Sequence, residues 1–174
     1  MGKSVNTSPL TCFKAYDVRG ELGVNFDTAI AYRIGRAVGL HFGAGAVVIG
    51  RDARETSPEL AEAVACGVCD AGLTVLDLGM AGTEEMYWAV TEFGASAGIE
   101  VTASHNPINY NGLKIVKSGS KPLDGRSDFL AIKTLAESQN WVENLSRGSI
   151  QNIAKEARKK YIFCVLNFLN NSNL

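Results

Sequence analysis

No sign of charge dominates this sequence, and no apolar run in it is long. Lysine and arginine number 17 against 18 for aspartate and glutamate, giving a formal net charge of −1. Such balance excludes a whole-chain attraction to nucleic acid or to an anionic membrane. The longest stretches free of charged residues, 37–50 and 161–174, fall short of the ~20 apolar residues that a membrane-spanning helix needs. Met1 to Leu10 lack the apolar segment of a signal peptide, which sets the expectation of a cytoplasmic chain. Cysteine is sparse, with Cys12, Cys66, Cys69 and Cys164 expected as reduced thiols in that compartment. A disorder-prone composition is also missing: hydrophobic residues make up 46% and charged residues 20%, which leaves enough apolar material for a packed core. At roughly 150 residues per domain, the 174 residues make one domain and a remainder.

Apolar periodicity sets out the elements that are there. After a loose arm over 1–11, Ile30, Ile34, Ala37, Val38 and His41 recur at three- and four-residue spacing. A helix is therefore expected from Asp27 to Phe42, ended by Gly43-Ala44-Gly45. Ala46 to Gly50 is short, β-branched and apolar, as in a buried strand. Ser57 is expected to cap the next helix, with Pro58 in its first position and Gly72 past its end. Leu73 to Leu78 and Ser96 to Thr102 read as two more buried strands, with a helix opening at Thr83 between them. Gly112 to Lys117 follows as a fourth strand after the turn signal Asn111-Gly112, then a helix from Asp128 to Gln139.

Alternation of strand and helix from 46 to 102 implies parallel strands joined by right-handed crossovers. The expected fold is α/β: a three-layer α/β/α domain with a mixed, mainly parallel sheet. A last helix over 153–170 is apolar nearly all round at 161–166, and such a helix needs cover that the remaining residues do not provide. The expected organisation is one domain over 1–148 and, over 149–174, the first helix of an unfinished second domain. Self-association through helix 153–170 stays open.

In an open parallel sheet, ligands bind beyond the carboxyl ends of the strands. The strand at 46–50 delivers Arg51, Asp52 and Arg54 to that edge, and the strand at 96–102 delivers Ser104, His105 and Asn106. Arginine forks suit phosphate or carboxylate, and the helix opening at Ser57 adds a positive end nearby. Pro107 stiffens the loop that presents Ser104. The reversal at Asn111-Gly112 is expected to bring Lys114 towards Ser104, so that serine, histidine and lysine share one small volume.

Thr102-Ala103-Ser104-His105-Asn106-Pro107 resembles the phosphoserine loop of the α-D-phosphohexomutases. Tyr16-Asp17-Val18-Arg19-Gly20, Gly50-Arg51-Asp52-Ala53-Arg54 and Asn109-Tyr110-Asn111-Gly112-Leu113-Lys114 resemble three further motifs of that family, in order and spacing. Leu10 to Asp17, Gly98 to Thr102 and Gly82-Thr83-Glu84-Glu85 are most similar to its bacterial phosphomannomutases. The resemblance implies interconversion of a hexose 6-phosphate and a hexose 1-phosphate, with mannose favoured over glucose. Phosphorylated Ser104 would pass its phosphoryl group to the sugar and take the other one back from a hexose 1,6-bisphosphate. Arg19 and Lys114 would balance the phosphate charge together with Mg²⁺, and Ser104 would meet that metal through its phosphate. His105 and Lys114 are the implied acid/base groups. Tyr16, Arg51 and Asn106 are candidates for binding the substrate or its phosphate. The family's Asp-Gly-Asp-x-Asp-Arg metal motif does not occur in this sequence. The resemblance therefore covers the first of four domains, and the chain alone is expected to be inactive. The partner implied is a phosphosugar, not nucleic acid or membrane. A phosphoglucomutase or dual-specificity mutase is the nearest alternative, and a non-catalytic phosphate-binding domain is the alternative of another class.

Other features read as structure. Arg54 is expected to pair with Asp52 or Glu55. Cys66-Gly67-Val68-Cys69 has redox spacing but falls late in a helix, where no thiolate is stabilised, so packing is the expected role. His41 reads as a helix-face histidine. Gly43-Ala44-Gly45 precedes a strand instead of following one, which rejects a dinucleotide fingerprint.

Overall fold

The computed structural model describes residues 9–141 and 146–171. In chain order the elements are β1 (Val18–Glu21), α1 (Thr28–Phe42), β2 (Ala46–Arg51), α2 (Ser57–Asp70), β3 (Thr74–Met80), α3 (Thr83–Glu92), β4 (Ala97–Val101) and β5 (Tyr110–Lys117). A 3-10 turn at Ser118–Ser120 leads to β6 (Lys121–Pro122), α4 (Asp128–Ser138), β7 (Ile150–Asn152) and α5 (Ala154–Asn171). Seven strands form one mixed sheet in the order β1-β5-β4-β2-β3-β7, with β6 paired to β5. Parallel pairing joins β2 to β3 and β4, and β3 to β7, while β5 runs antiparallel to both β4 and β1. The α/β fold expected from the alternation of elements is the one present, and the short link from β4 to β5 makes that pair antiparallel.

Alternating side chains of the strands feed two apolar layers. Val47, Ile49, Ala97, Ile99, Val101, Leu113 and Ile115 pack under α1, α2 and α4. On the other face Val48, Leu76, Leu78 and Val116 meet Met86, Ala89 and Val90 of α3, together with Ile153 and Ala157 at the start of α5. Asp27 caps α1 by accepting from the Ile30 N–H at 2.7 Å, and Gly43 ends it in the left-handed region. Helices α1 and α2 cross at glycines: a methyl group on Gly35 would strike the Val64 carbonyl, and one on Gly67 the Tyr32 carbonyl. The Cys66-Gly67-Val68-Cys69 stretch is thus part of a tight helix crossing, and burial pushes the Cys69 thiol upward from its ordinary value.

Three expectations need correction. Ser57 does not cap α2; it is the first residue of the helix, is fully buried, and its hydroxyl donates to Asp52 Oδ1 at 2.6 Å. Asn111 and Gly112 are not a turn. They lie inside β5, and the reversal falls earlier, where the Tyr110 N–H donates to the Pro107 carbonyl at 3.0 Å. Gly112 serves close approach, because a side chain there would collide with the Val18 carbonyl of β1. The arm expected over 1–11 is anchored at its end: Leu10 is buried and its N–H donates to Glu137 Oε1 at 2.8 Å, while residues 1–8 lie outside the described residues. The last helix docks by its first turns, through Ile153, Ala157, the Arg158–Glu85 ion pair at 2.7 Å and Tyr161 against Trp88. From Ile162 to Leu169 its large apolar side chains are exposed. Among the described residues no helix is long and apolar enough to cross a membrane.

At the far end of the sheet, Asp128 accepts from Lys117 Nζ at 2.7 Å and lies 3.1 Å from His41 Nε2. The Lys117 bond, aided by the Asp124 N–H, draws its carboxyl down to about 2. A depressed carboxylate stabilises the fold above its unfolded value and loses that contribution as pH falls through the folded one. Asp128→Asn is expected to lower stability by about 1 kcal/mol near neutral pH. The gap should close as pH falls from 3.8 to about 2, read from urea melts. Gly67→Ala is expected to cost about 1–3 kcal/mol by forcing α1 and α2 apart, measured by thermal unfolding.

Candidate functional site

β2 and β4 run in register, Gly50 opposite Glu100 and Arg51 opposite Val101, so the loops that follow them leave the sheet side by side. The loop after β4 is anchored at once: the Thr102 N–H donates to the Gly112 carbonyl at 2.9 Å. Ala103 is buried, and Ser104 then turns outward with φ +54°, a left-handed conformation that costs a non-glycine residue roughly 1 kcal/mol or more. Thr102 Oγ1 accepts the Ser104 N–H at 2.9 Å. Asn106 closes the loop on itself through two bonds to the Ala103 carbonyl, from its N–H at 3.0 Å and from Nδ2 at 2.8 Å.

Arg54 holds the rest. Its Nη2 donates to the carbonyls of Ser104 at 3.0 Å and Asn106 at 2.6 Å, and its Nη1 to those of Pro107 at 2.9 Å and Tyr110 at 3.2 Å. Nε faces Asp52 Oδ2 at 3.4 Å. The expected pairing with Asp52 is present, but the guanidinium mainly clamps the loop. Asp52 in turn accepts from the Arg54 N–H and from Ser57 Oγ, and buried Asn111 donates to Thr56 Oγ1 and Ser57 Oγ, each at 3.0 Å. The Gly50-Arg51-Asp52-Ala53-Arg54 motif displayed the arginine, yet no spacing rule could show that its partners are carbonyls 50 to 56 residues away.

Two clefts flank this framework. Ser104 and Asn106 line an open one with Asp52, Ala53, Arg54 and Ile108. Ser104 Oγ stands 3.4 Å from His105 Nδ1, the long end of hydrogen-bond reach. Lys14, Tyr16, Asp17, Arg19, Tyr87 and Lys114 line the other, of about 500 Å³. There Arg19 Nη2 donates to Asp17 Oδ2 at 2.6 Å, and Tyr16 is 91% exposed. An anion entering that cleft would compete with Asp17 for Arg19 and meet the Lys14 and Lys114 ammonium groups. Lys114 and Ser104 thus border different clefts. Arg51 faces a third, under α2, with Pro58, Glu62 and Asp77. Ser104, His105 and Asn106 are brought together, as are Tyr16, Arg19 and Lys114, whereas Arg51 joins neither set.

The Mg²⁺ expected from the family resemblance finds few ligands in this chain. Among the described residues no three His, Cys, Asp or Glu side chains are grouped to hold a metal ion. Asp52, the acid that lines the Ser104 cleft, is already engaged by Arg54 and Ser57.

Replacing Arg54 by Ala removes four carbonyl bonds at once and should expose the 103–110 segment to limited proteolysis at least tenfold faster than in the parent. Arg54→Lys should not restore protection, because an ammonium cannot span the four acceptors.

Comparison with known proteins places this geometry. Residues 11–161 match the family described as phosphoglucomutase/phosphomannomutase, alpha/beta/alpha domain I. A phosphomannomutase of Klebsiella pneumoniae is 49% identical over 155 residues, covering 88% of this chain and 98% of that sequence. One from Escherichia coli is 46% identical over 94% of this chain, which spans 36% of that relative's length. A crystal structure of a phosphoglucomutase/phosphomannomutase family protein from Burkholderia thailandensis superposes with a TM-score of 0.74 at 33% identity, covering 87% of this chain and 35% of that one. The chain spans about a third of the length of the Escherichia coli and Burkholderia thailandensis relatives. With these matches and the loop geometry together, the chain belongs to the phosphoglucomutase/phosphomannomutase family and carries its alpha/beta/alpha domain I.

Proposed function

We propose that this chain is the phosphoryl-carrying domain of a phosphomannomutase, with Ser104 as the carrier. One observation carries the reading: an exposed serine hydroxyl in a strained turn, clamped by four bonds from a single buried-edge arginine. Such over-determination holds a reacting atom in place, and phosphoryl transfer depends mostly on positioning and charge. The relatives named phosphomannomutase favour a mannose phosphate as substrate.

In the first step the phosphorus–oxygen bond of phospho-Ser104 breaks as a hydroxyl of the hexose phosphate bonds to phosphorus. The hydroxyl proton passes to a base, for which His105 and Lys114 are the candidates, and the serine oxygen recovers a proton. The resulting hexose 1,6-bisphosphate reorients and gives its other phosphoryl group back to Ser104 by the reverse of the same step. Phosphoserine adds roughly −1.5 to −2 charges, and Arg19 and Lys114 of the neighbouring cleft are the cations proposed to offset them. Mg²⁺, when bound to the phosphate, would withdraw charge from the transferring group, its remaining ligands coming from outside this chain. The outward apolar residues of α5 suit a seam with that missing part.

Intact-mass spectrometry of the full-length protein, incubated with a hexose 1,6-bisphosphate, tests the carrier role. A single added phosphate on the parent and none on Ser104→Ala is expected; equal labelling of both would overturn it. A non-catalytic domain would take up no phosphate on Ser104 even within the full-length protein. A coupled assay should find no mutase turnover by the isolated chain.

A further inference from the structure

Glu100 is a buried acid that the transfer chemistry does not use. It is 1% exposed, and among the described residues neither carboxyl oxygen has a hydrogen-bond partner. It lies on the face of β4 that carries α3, against Gly50, where any larger residue would collide with its carboxyl. Its surroundings hold like charge. Asp52 follows β2, and Glu84 and Glu85 open α3. Tyr87 of α3 is the remaining titratable neighbour on that helix. Arg158 of α5 is committed to Glu85 and to the Met80 carbonyl. The cation closest in the sheet is Lys114, directly opposite Glu100 across the β4–β5 ladder. Residues so paired hold their Cβ atoms about 5 Å apart on one face, within easy reach of a lysine stem. Yet the two form no ion pair among the described residues, and Lys114 turns to the cleft beside Arg19 and Tyr16.

We propose that Glu100 is a positioning residue for Lys114: as the neutral acid it leaves the ammonium free to face the phosphate cleft, and when ionised it draws Lys114 back against the sheet. The functional weight of this device rests on the carrier reading above; its existence does not. Burial first, and the charges of Asp52, Glu84 and Glu85 next, push the Glu100 carboxyl up to about 8, so the neutral form prevails at neutral pH. An ionised Glu100 in that acidic setting has one unpaired cation within reach, and the resulting capture would remove a positive charge from the cleft. Coupling of this kind is reciprocal: an anion that holds Lys114 in the cleft would make Glu100 harder still to ionise.

Carbon-detected NMR of the 174-residue chain reads both partners directly. The Glu100 Cδ resonance is expected to titrate with a midpoint near 8, and the Lys114 Cε resonance to move in step with it. In Glu100→Gln the Lys114 signal should stay flat through that range. Inorganic phosphate, followed by shifts of the Arg19 and Lys114 side chains, should bind the parent about threefold more weakly at pH 9 than the Gln variant does. A Glu100 midpoint in the ordinary carboxylate range, or a Lys114 signal indifferent to Glu100, overturns the proposal, and the first of these needs no variant. Thermal melts add a check of sign. A raised carboxyl costs stability as pH climbs from 4.5 to about 8, so the advantage of Glu100→Gln should widen across that window and level off above it. A constant gap would count against the neutral buried acid. If Ser104 takes no phosphate while these titrations behave as described, the carrier reading fails and the Glu100–Lys114 coupling stands.

Discussion

Arg54 donates to four backbone carbonyls of one short loop, and most of what is distinctive at this sheet edge exists to make that clamp possible. A guanidinium spends its fixed fork of donors best on acceptors whose positions are already set. Asp52 sets the arginine, Ser57 and the Arg54 N–H set Asp52, and buried Asn111 ties Ser57 to β5. The network joins β2, α2, β5 and the loop after β4 into one unit. Its product is an exposed serine held in a backbone conformation that a serine would not choose. The cost of that conformation is offset by charge-assisted bonds made elsewhere in the same loop.

Charge is distributed with equal economy. The chain is almost neutral, but its cations and anions are sorted along the edge of the sheet. Lys14, Arg19 and Lys114 collect at one cleft, while Asp52, Glu84, Glu85 and Glu100 lie around the carboxyl ends of β2 and β4. An acidic neighbourhood behind the Ser104 loop repels any anion unless part of it is neutral or paired. Arg54 and Arg158 pair two of these acids, and burial keeps Glu100 protonated. The cleft lined by Lys14, Arg19 and Lys114 is then left with the cations.

Much of the fold was legible in one dimension because its signals are local. The apolar runs of β2, β3 and β4, the apolar stripe of α1 and the glycines past α1 and α2 each report on a few adjacent residues. The strands without such runs were not legible. Val18–Glu21, Lys121–Pro122 and Ile150–Asn152 are short and pair at or near the edges of the sheet, where register with a neighbour, not burial of both faces, makes them strands. Asn111-Gly112 misled for a related reason. The dipeptide that favours a turn in isolation is used here for a buried amide and for close approach to Val18, neither of which has a sequence signature.

By itself the sequence determined the α/β class, the parallel core with its antiparallel edge, the family and the serine on its stiff loop, because periodicity, turn chemistry and contiguous motifs are carried by neighbours along the chain. Tertiary structure alone decided that Arg54 clamps the loop, that Arg51 faces a different cleft, that Lys114 and Ser104 border separate clefts, and that Glu100 is buried beside other acids. Each of those depends on groups far apart in sequence brought within a few ångströms, where direction and desolvation, not residue type, set what a side chain can do.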